Sequence, residues 1–83
     1  MYALQYDPRI EKDLRPIPRL FRERILKRLE KLQGNPRQPG VEKMAGFEGY
    51  RLRIHHYRVL FQIDEATKTV KVYRIKHRKE AYR

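Results

Sequence analysis

The sequence contains no cysteine among its 83 residues. Disulfide bonds, a thiol nucleophile and cysteine-ligated zinc are therefore excluded. The apolar runs are only a few residues long, so the sequence predicts neither a transmembrane helix nor a secretory signal peptide. We expect a cytoplasmic protein that does not act at a membrane.

Acidic residues are scarce relative to basic ones. Ten Asp and Glu stand against 21 Lys and Arg, which gives a net charge of +11. Such an excess favours a polyanionic partner, which could be nucleic acid, an anionic membrane or an acidic protein. A charge-rich thermophilic surface is the alternative, but it would predict basic residues balanced by acids in ion-pair networks. We interpret the imbalance as evidence for a polyanionic partner.

The length predicts one domain that spans residues 1–83, and 40% hydrophobic residues are enough for a modest core. Tyr2, Leu4 and Tyr6 alternate as in a strand, and Phe21, Ile25, Leu29 and Leu32 follow a helical period. The predicted elements are a strand at 2–6, a helix from Asp7-Pro8 to about Leu14, a helix at 18–33, a loop at 34–49, and strands at 50–54, 57–63 and 69–75. The order β-α-α-β-β-β predicts an α+β fold, with two N-terminal helices packed on one face of a small, mostly antiparallel sheet.

The two central strands form a predicted hairpin around His55-His56. Such a turn pairs Arg53 with Arg58 and Ile54 with Tyr57, and alternation then separates an apolar face from a basic one. The basic face carries Arg51, Arg53, Arg58, Leu60 and Gln62. Like charges opposite each other on a sheet are unfavourable unless an anion lies there, and the planar donors of arginine match phosphate. We interpret this face as a phosphate-binding platform; a solvated sheet face is the alternative.

The C-terminal tail supplies further candidates in His77, Arg78 and Tyr82. Histidine can transfer protons near neutral pH, arginine can stabilise a pentavalent phosphate, and tyrosine can stack on a base. A basic chain end without a site is the alternative interpretation, and His55 and His56 are interpreted as turn residues. No spacing of His, Asp and Glu indicates a metal site, so we expect a mechanism without metal or other cofactor.

Three segments carry a resemblance to a known family over nearly the whole chain. They are KDLRPIPRLFRERILKRLEKLQGNPRQPG, KMAGFEGYRLRIHHYRVLFQID and KTVKVYRIKHRKEAYR. In this order and spacing they resemble the RelE branch of the RelE/ParE toxin superfamily, found in type II toxin–antitoxin modules of bacteria and archaea. The resemblance implies the same α+β fold, with the first strand beside the last ones.

The resemblance also implies an activity. RelE toxins enter the A site of the small ribosomal subunit and cut the mRNA there, which inhibits translation. This mRNA interferase reaction uses the ribose 2′-hydroxyl as nucleophile on the adjacent phosphate and needs no metal. The endoribonuclease chemistry requires a base for the hydroxyl, cations for the charge on phosphorus and an acid for the leaving oxygen.

The family motif assigns roles to residues of this chain. By resemblance, Arg58 contacts the scissile phosphate, Arg78 stabilises charge and protonates the leaving group, and Tyr82 stacks on or orients the mRNA base. Lys79 is included among the predicted RNA contacts. Arg51 and Arg53 stand where the best-known RelE has lysines.

The two arginines are a departure that bears on proton transfer. Arginine effectively cannot lose its proton, whereas lysine can when its pKa is depressed. Arg51 and Arg53 therefore bind phosphate but make no credible base. Some relatives use a histidine beside the terminal tyrosine, or a glutamate before the strand. His77 matches the first position and is the predicted acid or base, with Glu42 as a weaker candidate.

The sequence is compatible with two other functions. ParE toxins share the fold but poison DNA gyrase, and a degenerate toxin would only bind its antitoxin. The resemblance implies a cognate RelB-like antitoxin as partner, and the net charge of +11 predicts that its binding segment is acidic. Contact with DNA is expected only through the toxin–antitoxin complex.

Overall fold

The structure, a computed structural model, describes residues 1–46 and 48–77. Its elements are β1 (Ala3–Tyr6), α1 (Arg9–Leu14), α2 (Arg19–Leu32), β2 (Val41–Lys43), β3 (Tyr50–Ile54), β4 (Tyr57–Asp64) and β5 (Thr69–His77). The predicted α+β class and the order of the predicted elements are confirmed. Neither helix in these described ranges is long and apolar enough to cross a membrane.

The strands form one mixed sheet in the order β1-β5-β4-β3-β2. β1 runs parallel to β5, and the other pairs are antiparallel. The expectation that the first strand lies beside the last is thus confirmed. The predicted loop at 34–49 needs correction, because it contains β2. This strand forms because it pairs with β3 at the sheet edge, with Val41 opposite Leu52. A strand of only three residues is too short to show the alternation of apolar and polar residues by which strands are predicted.

The helices cover one face of the sheet and bury the core. Ile25, Leu29 and Leu32 of α2 have no exposed surface, as the helical period predicted. Leu52, Val59 and Phe61 from the apolar face of the hairpin join the same buried cluster. Among the described residues, no helix packs on the other face of the sheet, which we call the open face, and the basic face of the hairpin points there.

Helix α1 supplies a hydrogen-bond acceptor to the part of the β5 edge that β1 does not reach. β1 pairs with β5 only as far as Val72, so the backbone beyond that residue needs another partner. The Asp13 carboxylate supplies it: Oδ2 accepts a hydrogen bond from the Ile75 backbone N–H at 2.9 Å and from Arg74 Nε at 3.0 Å. The charge of Arg74 therefore serves to join β5 to α1.

Candidate functional site

The β3–β4 hairpin positions the arginines as the sequence predicts. Its register pairs Arg53 with Arg58, Arg51 with Leu60 and Ile54 with Tyr57. His55 and His56 form the turn, and His55 adopts the left-handed conformation with a φ of 54°. The predicted register is therefore confirmed, and the three arginines project to the open face. We call the face of the sheet that carries Arg51, Arg53 and Arg58 the arginine face.

Arg58 differs from the other two arginines because it is buried. It lies on β4, flanked on both sides by β3 and β5, and is only 3% exposed. It is the one charged residue in the buried set among the described residues. A guanidinium keeps its charge even when buried, and reduced screening strengthens its attraction for a phosphate at its surface. Arg58 is thus the strongest candidate for a phosphate contact, which it can make once the groups that cover it move aside.

Glu42 also lies on the arginine face. The register of β2 places it opposite Arg51, and its Oε2 accepts a hydrogen bond from Arg51 Nη2 at 2.8 Å. This hydrogen bond, together with the positive charges of Arg51, Arg53 and Arg58, holds the pKa of the Glu42 carboxyl below its usual range. Glu42 is therefore ionised at neutral pH, and its lowered pKa makes it a weak proton acceptor.

Lys76 is a functional candidate that the sequence analysis missed. β5 carries a bulge opposite Leu60 and Phe61, so Phe61 pairs with Val72 while Leu60 pairs with Arg74. Beyond this bulge Lys76 pairs with Arg58, and directly paired side chains share a face. Continued without a bulge, the pairing would place Ile75 there and turn Lys76 toward the helices. The spacing of Val72 and Ile75 was the available signal, because two core residues three apart break strict alternation.

His77 lies on the opposite face from Arg58. It pairs with Tyr57, and its ring packs edge-on against the Tyr57 ring with centroids 5.4 Å apart. The Tyr57 ring in turn lies near the ring of Phe21 on α2, with the two centroids 6.2 Å apart. The structure therefore brings His77 to the helix-bearing side, near the hairpin turn, and does not bring it together with the arginine face.

The remaining predictions about the site concern the tail and metal ions. Arg78, Lys79 and Tyr82 lie outside the described residues, and their roles stay predictions. In the described ranges, no cluster of three or more His, Asp or Glu side chains could hold a metal ion. What the structure assembles is a cationic face with one buried arginine and one neighbouring lysine, chemistry suited to binding and polarising a phosphodiester.

The sequence matches the profile of one protein family over residues 4–82. That family is described as the ParE toxin of the type II toxin–antitoxin system parDE. A search of curated protein sequences finds no match.

Solved structures with the same fold include RelE toxins. The chain is 25% identical to the toxin in the RelBE complex of E. coli, with a TM-score of 0.80, covering 93% of this chain and 96% of that one. It is 26% identical to the toxin of the archaeal RelE–RelB complex from Pyrococcus horikoshii, with a TM-score of 0.81 and coverage of 93% and 94%. The RelBE2 complex of Mycobacterium tuberculosis gives a TM-score of 0.82 at 21% identity, covering 93% of this chain and 98% of that one.

Proposed function

Because this chain belongs to the ParE toxin family, on the RelE branch of the RelE/ParE superfamily of type II toxins, we propose that it is an endoribonuclease that cuts mRNA in the ribosomal A site. The observation that carries the proposal is the buried Arg58, paired with Arg53 on one side and Lys76 on the other, on the open face of the sheet. A phosphodiester that displaces the groups covering Arg58 meets three cationic side chains from three adjacent strands.

The proposed reaction is attack of a ribose 2′-hydroxyl on the adjacent phosphorus. A bond from the 2′-oxygen to phosphorus forms, the bond to the 5′-oxygen breaks, and the products are a 2′,3′-cyclic phosphate and a 5′-hydroxyl. Negative charge grows on the non-bridging oxygens in the transition state. Arg58, held by its strand and screened from water, stabilises that charge without reorganising, and Arg53 adds a second cation. The chemistry requires no metal.

Proton transfer is assigned to Lys76 in this proposal. Arg51, Arg53 and Arg58 cannot release a proton, and Glu42 is a poor acceptor because the arginines lower its pKa. Lys76 shares a face with Arg58, whereas His77 shares one with Tyr57. The Lys76 ammonium can donate a proton to the leaving 5′-oxygen, while the proton of the 2′-hydroxyl passes to water, from which Lys76 regains its own.

Exchange of Lys76 for arginine tests this assignment. The Lys76→Arg variant keeps the positive charge but cannot exchange a proton, so we expect cleavage to fall by about 100-fold or more while RNA affinity is retained. The His77→Ala variant should keep most of its activity. The measurement is the single-turnover cleavage rate between pH 6 and 9.

The control for that experiment is Lys71→Arg. Lys71 lies on the same strand and the same face but pairs with Gln62, away from Arg58. We expect its rate to match the native rate. If His77→Ala loses activity and Lys76→Arg does not, the histidine is the proton-transfer group and the assignment to Lys76 is wrong.

The proposed partners follow from the matched complexes and from charge. The E. coli and P. horikoshii structures are toxins bound to RelB antitoxins. We propose that this chain likewise binds a cognate RelB-like antitoxin through an acidic segment, and that it contacts DNA only within that complex. Its other partners are the small ribosomal subunit and A-site mRNA. Arg78, Lys79 and Tyr82 are assigned to RNA contact on the motif alone.

Mapping of cleavage on translated and untranslated mRNA tests the proposed function. We expect discrete cuts within codons only when the mRNA is being translated. The family description favours a second candidate, a ParE-type gyrase poison, which would damage DNA and leave mRNA intact. A toxin that only binds its antitoxin would do neither. Either of the last two results would overturn the endoribonuclease proposal.

A further inference from the structure

Glu42 places a negative charge next to the proposed phosphate site. Its carboxylate is 2.8 Å from Arg51 Nη2, and the charges of Arg53 and Arg58 also act on it. β2 is the last strand of the sheet on this side, so Glu42 stands at the boundary of the arginine face. An RNA backbone that runs from Arg58 toward the β2 edge therefore meets Arg51 together with the Glu42 carboxylate.

Another anion can compete with Glu42 for Arg51, because both side chains are exposed to solvent. The side chains of Arg51 and Glu42 are 39% and 67% exposed, respectively. Ion pairs this exposed are weak, because water and salt screen both charges. A phosphate, which offers arginine the same paired oxygens as a carboxylate, can therefore take the place of Glu42 on Arg51. Arg58, in contrast, is held in place by burial.

We propose that Glu42 is an internal competitor for phosphate that determines how selectively the arginine face binds RNA. It occupies Arg51 and repels phosphates near the β2 edge, so tight contact is confined to Arg53, Arg58 and Lys76. RNA in free solution is then bound weakly, and RNA already positioned by other contacts is favoured. This inference rests on the proposed function, since it concerns the same face.

Removal of the carboxylate's charge should strengthen binding to free RNA. The probe is a fluorescent 2′-O-methyl RNA 12-mer, which has no free 2′-hydroxyl and cannot be cut. Anisotropy is recorded from 0.05 to 0.5 M NaCl. For single-stranded RNA, each additional phosphate contact steepens the decrease of log affinity with log salt concentration by about 0.7. Relative to 1 M salt, this corresponds to about fivefold tighter binding at 0.1 M salt. We expect both changes in Glu42→Gln.

Two further variants assign the effect to Arg51. Glu42→Gln combined with Arg51→Ala should lose the additional slope, because the released guanidinium is then absent. Glu23→Gln is the matched control: it adds the same net charge and also removes an exposed carboxylate from an arginine, Arg19 at 3.1 Å, but on α2 behind the sheet. Its affinity should change by less than twofold.

The outcomes separate this inference from the proposed function. If Glu42→Gln binds the probe no more tightly than the native chain, or no more tightly than Glu23→Gln, Glu42 does not compete with phosphate. If Glu42→Gln binds as the native chain does but no longer cleaves mRNA, Glu42 acts in proton transfer instead. If no variant binds RNA even at 0.05 M salt, the RNA-binding role of the arginine face fails as well.

Discussion

Replacing Arg58 with alanine should lower the rate of mRNA cleavage by about 100-fold or more, the usual effect of removing one charge-stabilising donor from an active site. Arg58 is the buried cation of the arginine face and lies between two neighbouring strands. Its position cannot be taken over by Arg53, which is exposed and on the neighbouring strand. The measurement is single-turnover cleavage in a translation extract.

Controls must separate lost chemistry from lost folding, because Arg58 is buried. Thermal unfolding followed by circular dichroism shows whether the variant is folded at the assay temperature. Arg58→Lys keeps the charge but loses the planar pair of donors, so its activity should fall between the native and alanine values. Arg19→Ala removes the same charge from an exposed site on α2 and should cleave at the native rate. A folded Arg58→Ala protein with native activity would rule out the phosphate role.

Of all alanine replacements at the described residues, that of Phe61 should produce the largest loss of stability. Phe61 is fully buried on β4, and its ring stacks on that of Tyr50 with centroids 5.8 Å apart. Truncation of a buried phenylalanine removes apolar burial and leaves a cavity, which costs about 3–5 kcal/mol. For a small domain this is a large share of the total free energy of unfolding. Urea denaturation of the native and variant chains measures the difference.

The comparison for Phe61 is a leucine at the surface. Leu20 on α2 is 57% exposed, and Leu20→Ala should change the free energy of unfolding by less than about 0.5 kcal/mol. Phe61 also adjoins the bulge that turns Lys76 toward the arginine face. A Phe61→Ala chain that unfolds at the native urea concentration would show that the packing beside the bulge is not the main source of stability.

The hairpin shows how much of the site local sequence can predict. Its strands are short, alternate regularly and are joined by a two-residue turn, so one choice of turn fixes every pair from Tyr50–Phe61 to Ile54–Tyr57. Arg51, Arg53 and Arg58 then had to share the face opposite the apolar one. The buried side of α2 was predictable from local sequence as well, because the 3.6-residue period of its apolar residues marks the side that faces the core.

The position of Lys76, the proposed proton-transfer group, depended on the tertiary structure. A single bulge in β5 moves Lys76 to the arginine face, and in the sequence the bulge is marked only by the three-residue spacing of Val72 and Ile75. β2, which brings Glu42 to Arg51, forms only because an edge of β3 is available to it. The sequence by itself determined the charge, every helix and strand except β2, and the arginine face, because these depend on neighbours in the chain. Only the tertiary structure decided on which face each of Lys76, His77 and Glu42 lies, because that depends on the register between strands that are distant in the chain.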